Sequence, residues 1–405
     1  MTKAASAYRG AGNEAEVCSY TLEQFFDAAI ALGLPVAIWR LPNSQTVQAC
    51  VSLQPELRIT EPDLEESPFG FFFCPFQKST AEQNLFIQAD LYFESENGTV
   101  TPGKGAPAEA LEVFLKALDT PQKREKTNWH KPVTATAFTA QSEETFKGAV
   151  AAAVDSILLE QMEKVVLSRN RTFELPEGFS PLAANAFMRA NYPQAFVSLV
   201  SIPGVGTWMG ASPEILVSID DQQIFRTVAL AGTQPATAHV ADAIWRQKEI
   251  EEQGMVERYI LKCFKALRLR EYTEVGPKTV VAGSLMHLRT DFKVDLKEVD
   301  FPRLGSDMLQ LLHPTSAICG LPKEPALAFI LENEGYNRRY YSGYLGPVNG
   351  ADGTHVYVNL RCMQLLAEEA VLYAGAGITG ESSPEKEWQE TQHKMQTMRR
   401  ILEQF

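Results

Sequence analysis

No apolar run in this chain is long enough to cross a bilayer. The longest, around Gly70-Phe71-Phe72-Phe73-Cys74, falls far short of the ~20 residues a spanning helix needs. The opening stretch, MTKAASAYRGAGNEAEVCSY, has no apolar core of the kind a signal peptide carries, so none is expected. Cysteine is sparse and scattered: Cys18, Cys50, Cys74, Cys263, Cys319 and Cys362 form no C-x-x-C pair. That removes the zinc signal and suits free thiols in a reduced cytoplasm. Positive charge is also short, with 37 Lys and Arg against 50 Asp and Glu, a net charge of −13. Such a surface repels phosphate backbones and anionic lipid, so neither nucleic acid nor membrane is expected as a partner. A small anion can still bind, but only through a local device: a metal ion, a basic pocket or aimed backbone N–H groups. Internal repeats and Ser/Gly-rich linkers are missing as well, and Pro and Gly show no period, which excludes fibrous and low-complexity classes.

What is present is an ordinary globular composition, 45% hydrophobic and 21% charged over 405 residues. That length allows two or three domains or one composite domain. The polar stretch 120–132 (TPQKREKTNWHKP) is the best candidate boundary, dividing residues 1–130 from 131–405. Before it, one helix is expected over 22–32, with strands over 36–39, 47–53 and 85–87. After it, Phe146, Val150, Val154, Ile157 and Leu158 recur at helical spacing. A strand follows over 164–169, and Ser180-Pro181 opens a second helix. Strands are expected over 195–202 and 207–209, and a hairpin over 215–228. A long helix is expected over 240–267, then strand over 278–288. Short helices over 304–312 and 324–334 lead to strands over 341–345, 355–362 and 370–375, and a last helix over 384–403. Hairpins among unevenly alternating elements do not match a regular βαβ rhythm. The expected class is α+β, a large mainly antiparallel sheet core covered by helices.

Gly375-Ala376-Gly377-Ile378-Thr379-Gly380 matches G-x-G-x-x-G after a strand. A dinucleotide site would need a crossover helix, a second strand and a later acidic residue. The remainder, from Glu381, reads as one helix, so a glycine-rich bend that approaches an anionic ligand is the better reading. Glu387 and Glu390 lie three apart in that helix, with Lys394 four further on, and Glu249 and Glu252 repeat the spacing in the central helix. Each pair alone fits a solvated helix face. Together, two helices bearing carboxylates suit Mg²⁺, which takes one or two carboxylates plus waters and substrate oxygens. Lys164 opens an otherwise apolar strand, and Glu214 follows Ser212-Pro213. Either fits an exposed edge charge. If both line a pocket, burial and neighbours tune them into a base and an acid.

Ten ordered segments resemble the chorismate-binding enzymes, the isochorismate, salicylate, anthranilate and aminodeoxychorismate synthases. They are KVVLSR (164–169), SPEIL (212–216), LAGT (230–233), KEIEEQGMV (248–256), LMHL (285–288), HPTSAICG (313–320), ENEGYNRRYYSG (332–343), LRC (360–362), AGAG (374–377) and SSPEKEWQET (382–391). The resemblance runs from about residue 160 to the C-terminus, with 1–130 as a variable part of the same fold. It implies chorismate as substrate and Mg²⁺ as cofactor, held by Glu252 and Glu390 with Glu387 close by. It implies substrate contacts from Ala231, Gly232, Thr233, His287, Ala317, Tyr341, Arg361, Gly375, Ala376, Gly377 and Lys394. Arg361 would fork onto the enolpyruvyl carboxylate.

The branches of this family differ in nucleophile. Lys164 matches those in which a lysine acts as base on water, where ammonia-using branches resemble Gln. Ala231 cannot form the covalent adduct of the aminodeoxychorismate branch. The resemblance therefore points to isochorismate formation, with Lys164 as base and Glu214 as acid, serving menaquinone or siderophore biosynthesis. Neither a glutamine amidotransferase subunit nor an oligomer is expected. Ala317 resembles isochorismate rather than salicylate synthases, which carry Thr there. Salicylate synthesis and a non-catalytic chorismate-binding role are the alternatives. The chain departs from the family at Gln253, usually His, and at Asn337, usually Asp.

Overall fold

Strands rich in Val, Ile, Phe and Tyr pair into two sheets, as β-branched and aromatic side chains favour. The computed structural model describes residues 19–54, 57–59, 61–120, 128–133, 140–235, 239–282 and 285–405. The described residues form a ten-stranded and a nine-stranded sheet. In spatial order the first runs β15 (Gly320–Leu321), β8 (Lys164–Glu174), β19 (Glu369–Ile378), β18 (Cys362–Leu365), β10 (Gly206–Ser212), β9 (Phe196–Ile202), β1 (Val36–Arg40), β2 (Gln48–Val51), β6 (Leu91–Glu94) and β7 (Thr99–Pro102). The second runs β13 (Thr273–Ala282), β14 (Leu285–Asp295), β12 (Ile224–Pro235), β11 (Ile215–Ile219), β17 (Thr354–Val358), β16 (Tyr344–Val348), β4 (Gly70–Cys74), β5 (Leu85–Gln88) and β3 (Arg58–Ile59). Neighbouring strands pair antiparallel, including β8 with β19 and β12 with β14. The architecture is α+β with mainly antiparallel sheets.

Eight α-helices, α1 (Leu22–Ala31), α2 (Ala108–Asp119), α3 (Glu143–Leu158), α4 (Pro181–Asn191), α5 (Gln247–Ala266), α6 (Leu304–Leu312), α7 (Lys323–Asn333) and α8 (Pro384–Leu402), are found among the described residues. Local chemistry sets their starts. Thr21 and Gln24 form a capping box on α1, and Ser142 and Ser180 accept backbone N–H groups at α3 and α4. Pro384 occupies the first turn of α8, where its missing N–H costs nothing. Phe25, Phe114 and Met398, from α1, α2 and α8, pack on one face of the first sheet. Val150, Ile260, Leu309 and Ile330, from α3, α5, α6 and α7, join a second cluster with Phe72 and Val217. A third, aromatic cluster with Trp39, Phe71, Trp208 and Tyr373 draws on both sheets and lies between them.

Several boundaries differ from expectation. The long helix begins at Gln247, not 240: Val240–Asp242 is a single 3₁₀ turn, and Glu249 Oε2 accepts the Arg246 N–H at 3.0 Å to start α5. Helix α2 was not expected, although Leu111, Phe114 and Leu118 bury one face at helical spacing. The strand expected over 278–288 is a hairpin of β13 and β14. The strand expected over 355–362 is two strands in different sheets, divided at Arg361, whose φ is +48°. Of the polar stretch 120–132, residues 121–127 lie outside the described residues, while Trp129 is buried and donates to Leu366 O. No helix among the described residues is long and apolar enough to cross a membrane.

Candidate active site

The chain crosses between the sheets at two adjacent places, and these build the floor of the site. Between β10 and β11 it leaves the first sheet for the second through Pro213 and Glu214. Between β17 and β18 it returns through Asn359, Leu360 and Arg361. The crossings are bonded to each other: Ala211 N–H donates to Arg361 O at 3.0 Å and Val358 N–H to Glu214 O at 2.9 Å. Glu214 and Arg361, far apart in sequence, thus flank one seam.

Lys164 enters from the first residue of β8. Its side chain passes the bare face of Gly377, where an added Cβ would stand 3.2 Å from Lys164 Cε. Glycine there leaves the ammonium its room. The neighbouring backbone is open too. Val166 N–H donates to Cys319 O and Ser168 N–H to Glu334 Oε1, so both point away from β19. Their partners across the ladder, Gly377 and Gly375, therefore turn N–H and C=O to the other edge of β19. The ladder from β18 to that edge ends at Leu372. Gly375 O accepts from Lys394 Nζ at 2.8 Å, which agrees with that direction. Ala376 faces the opposite way, into the core, and offers the site no side chain.

The charges of this seam act on one another. Burial lowers the Lys164 pKa below the ordinary lysine value, while Glu252, Glu214 and Glu390 pull it back up and Lys394 lowers it further. Burial pushes the Glu214 carboxyl up to about 7, against the opposing pull of Lys164, the Thr315 hydroxyl and Lys394. A lysine driven toward the neutral form thus acts on a carboxyl driven toward the protonated form. Thr315 Oγ1 lies 3.5 Å from Glu214 Oε1 and accepts the Ala317 N–H at 3.3 Å, so its own proton is left for the carboxylate. Thr315 was missed in the sequence. The available signal was a hydroxyl two residues before Ala317 inside HPTSAICG.

Carboxylates reach the seam from two helices. Glu252 lies on α5 and Glu390 on α8, and both act on the Lys164 charge. Glu390 also holds Lys394 Nζ at 2.6 Å, so Lys394 is engaged by the protein at Glu390 and Gly375. Glu387 sits on the buried side of α8. Among the described residues no three His, Cys, Asp or Glu side chains converge closely enough to cage a metal. Two carboxylates that both reach the charge of Lys164 fit Mg²⁺, which completes its shell with water and substrate oxygens, and do not fit a closed structural site. Gln253, buried beside Glu252, anchors α5 by donating to Ala229 O at 3.2 Å and Thr290 Oγ1 at 3.0 Å. Asn337 donates to Glu82 Oε2 at 2.9 Å, while the neighbouring Glu334–Arg338 pair is buried at 2.5 Å.

The other expected residues fall around the same space. His287 Nδ1 lies 3.2 Å from Gly232 O, and burial lowers its pKa, with Arg361 acting in the same sense. Gly232 has φ +65° and sits against Glu249 at the start of α5, where a Cβ would meet Glu249 Cβ at 3.1 Å. It marks a bulge between Ala231 and Thr233, and Ala231 packs toward the apolar core. The Thr233 side chain lies outside the described residues. Tyr341 stacks on Tyr373 with centroids 5.1 Å apart, and its hydroxyl lies 3.2 Å from where a Gly375 Cβ would stand. Arg361 donates to Thr397 Oγ1 at 3.1 Å, and burial lowers its pKa while Tyr341 and Glu390 oppose. Ala317 lines a small cavity with Glu214 and Thr315. His313 is the C-terminal cap residue of α6 and bonds Phe76 O.

An acid and a base displaced toward neutrality, beside carboxylates, an arginine and open backbone N–H groups, define an acid–base enzyme site for a small anion. Residues 71–403 match the family model described as chorismate binding enzyme, and the chain belongs to that family. It is similar to the vibriobactin-specific isochorismate synthase of Vibrio cholerae, 27% identical over 343 residues that cover 82% of this chain and 79% of the relative. It is also similar to anthranilate synthase component 1 of Streptomyces coelicolor, 30% identical over 292 residues, 70% of this chain and 54% of the relative. The same fold occurs in the solved structure of MenF, the menaquinone-specific isochorismate synthase from Escherichia coli. The TM-score is 0.72 at 21% identity, over 93% of this chain and 91% of that one.

Proposed function

We propose that this chain converts chorismate to isochorismate. One observation carries the reading: Lys164 and Glu214 are both buried at the seam, each feels the other's charge, and their pKa values are moved toward neutrality from opposite sides. Neutral Lys164 takes a proton from water as the water oxygen bonds to ring carbon C2. The ring double bond shifts and the C4–oxygen bond breaks. Glu214 gives its proton to the departing hydroxyl, which leaves as water. One water enters and one leaves, so the net change is an isomerisation. Lys164 ends protonated and Glu214 ionised, and the two reset by proton exchange with solvent.

The rest of the site orients the substrate. Arg361 forks onto the enolpyruvyl carboxylate, and the N–H groups of Gly375 and Gly377 face the other anionic oxygens. Glu252 and Glu390, with Glu387 alongside, would hold Mg²⁺. When bound, the ion supplies positive charge against the ring carboxylate. With a lysine base acting on water, no amidotransferase partner is needed. The five described cysteines are buried and unpaired, which suits a reduced cytoplasm.

Incubation of the purified protein with chorismate and Mg²⁺, followed by proton NMR, tests this. Isochorismate approaching equilibrium with chorismate, without pyruvate, is the expected result, and chelation of Mg²⁺ stops it. Salicylate with stoichiometric pyruvate would replace the proposal with salicylate synthesis. Unchanged chorismate would leave a binding role.

A further inference from the structure

Arg169 is the least economical charge in the first sheet. It lies in β8, five residues beyond Lys164, with 1% exposure. It makes no ion pair among the described residues, and its Nη2 has no hydrogen-bond partner. Burial pulls its pKa down to about 10. Taking a guanidinium out of water without a carboxylate is costly, so this residue is not there for stability alone. The contacts it does make go to α8. Nε donates to Thr391 Oγ1 at 2.6 Å, Thr391 donates on to Trp388 O at 2.7 Å, and the guanidinium carbon lies 3.8 Å from the centre of the Trp388 ring.

Trp388 and Thr391 each follow one of the two carboxylates, Glu387 and Glu390, by one residue. A one-residue slip of a helix moves it ~1.5 Å and turns it ~100°. That would swing both carboxylates away from the seam. A flat cation stacked on one residue and bonded to another three further along fixes rotation and translation together. We infer that Arg169 is a positioning residue that sets the register of α8 and so aims Glu387 and Glu390 at the metal and substrate. The inference rests on the proposed role of those carboxylates in holding Mg²⁺.

The test uses Arg169→Lys, which keeps a cation but loses the planar fork, and Thr391→Val, which removes only the bonding hydroxyl. Glu390→Gln is the reference. For each, the Mg²⁺ concentration giving half-maximal activity, the chorismate KM at saturating Mg²⁺, and the rise in Tm produced by Mg²⁺ alone are measured. Loss of a group that orients metal ligands costs ~10-fold or more in metal affinity. Arg169→Lys should therefore raise the half-saturating Mg²⁺ about tenfold and shrink the Mg²⁺-induced Tm rise, with Thr391→Val moving both in the same direction by less. The chorismate KM at saturating Mg²⁺ should stay near wild type. A lower Tm with an unchanged Mg²⁺ response in Thr391→Val and in any folded Arg169→Lys would overturn the inference and leave Arg169 a structural prop. An unchanged Mg²⁺ response in Glu390→Gln would remove the metal reading itself, and the inference with it.

Discussion

The space between the two sheets is filled in opposite ways at its two ends. At one end aromatic rings stack: Phe73 on Tyr340 with centroids 4.1 Å apart, Phe196 on Tyr357 at 4.2 Å, and Trp208 on Tyr373 at 5.4 Å. At the other end the same strand continues from Tyr373 through Gly375 to Gly377, and the rings stop. These three residues share one face of β19, since side chains alternate along a strand. Replacing two rings by two hydrogens opens room, uncovers backbone N–H groups and lets Lys164 in. One end is a core that resists solvent, and the other is a cleft that uses burial to shift proton affinities. The contrast between them can be broken or sharpened by substitution.

The largest effect is expected at the polar end. Lys164→Ala should cost ~10²–10⁴-fold in kcat while Tm stays near wild type, because the proposed mechanism uses the side chain as the base and not for packing. A variant with full activity would sink the base assignment. Phe73→Ala, at the aromatic end, should reverse the pattern. Chemical denaturation should show a loss of ~3–5 kcal/mol, with the kcat of the folded fraction close to wild type. If instead kcat falls and stability holds, the two ends are not separate in function.

Gly377→Ala tests the boundary. The new methyl would stand 3.2 Å from Lys164 Cε, the end of a flexible side chain, so the fold should survive. Displacement of the base should cost ~10-fold in kcat, and crystal or NMR data should show Lys164 moved. An Ala variant with wild-type kinetics would mean that the glycine is not what makes room for the base.

Glu214 should be legible in pH dependence. In the proposed mechanism its acid form is needed for turnover, so kcat/KM should fall as pH rises through about 7. The sign for stability is the same. A carboxyl raised from 4.5 to about 7 stabilises the folded state below its unfolded value, and that contribution is lost as pH rises to about 7. Glu214→Gln should therefore flatten the stability curve between those pH values. Thr315→Val gives the smallest shift. Removing the hydroxyl that favours the ionised form should move the alkaline limb up by a fraction of a pH unit, and a downward move would contradict the hydrogen bond.

Much of this was legible in the chain, and the reasons are local. Helices α1, α3, α4 and α8 announce themselves through Thr21, Ser142, Ser180 and Pro384, because caps act on immediate neighbours. Lys164 at the head of KVVLSR and the glycines of AGAG are read from the same strands in which they lie. Helix α5 is shorter than the sequence suggests because the 3₁₀ turn and irregular residues up to Arg246 carry apolar Val240, Ile244 and Trp245 directly before it. The single strand expected over 355–362 failed for a different reason. Pattern along the chain does not show a change of sheet, and the break at Arg361 depends on a positive φ held by its surroundings. Thr315 was passed over because its value lies in one contact, to a carboxylate about a hundred positions earlier.

Composition, caps and alternating apolar residues are short-range facts, and from them alone come the α+β class, most elements and the residue types able to act as base, acid and metal ligand. Which of those residues meet was decided by the paired sheet crossings that set Glu214 beside Arg361, and by the packing of α5 and α8 that brings Glu252 and Glu390 to Lys164. The proton affinities were decided there too. A carboxyl at about 7 and a lysine below its usual value are made by burial and by neighbours at least 50 residues away along the chain, and no short window of sequence contains either.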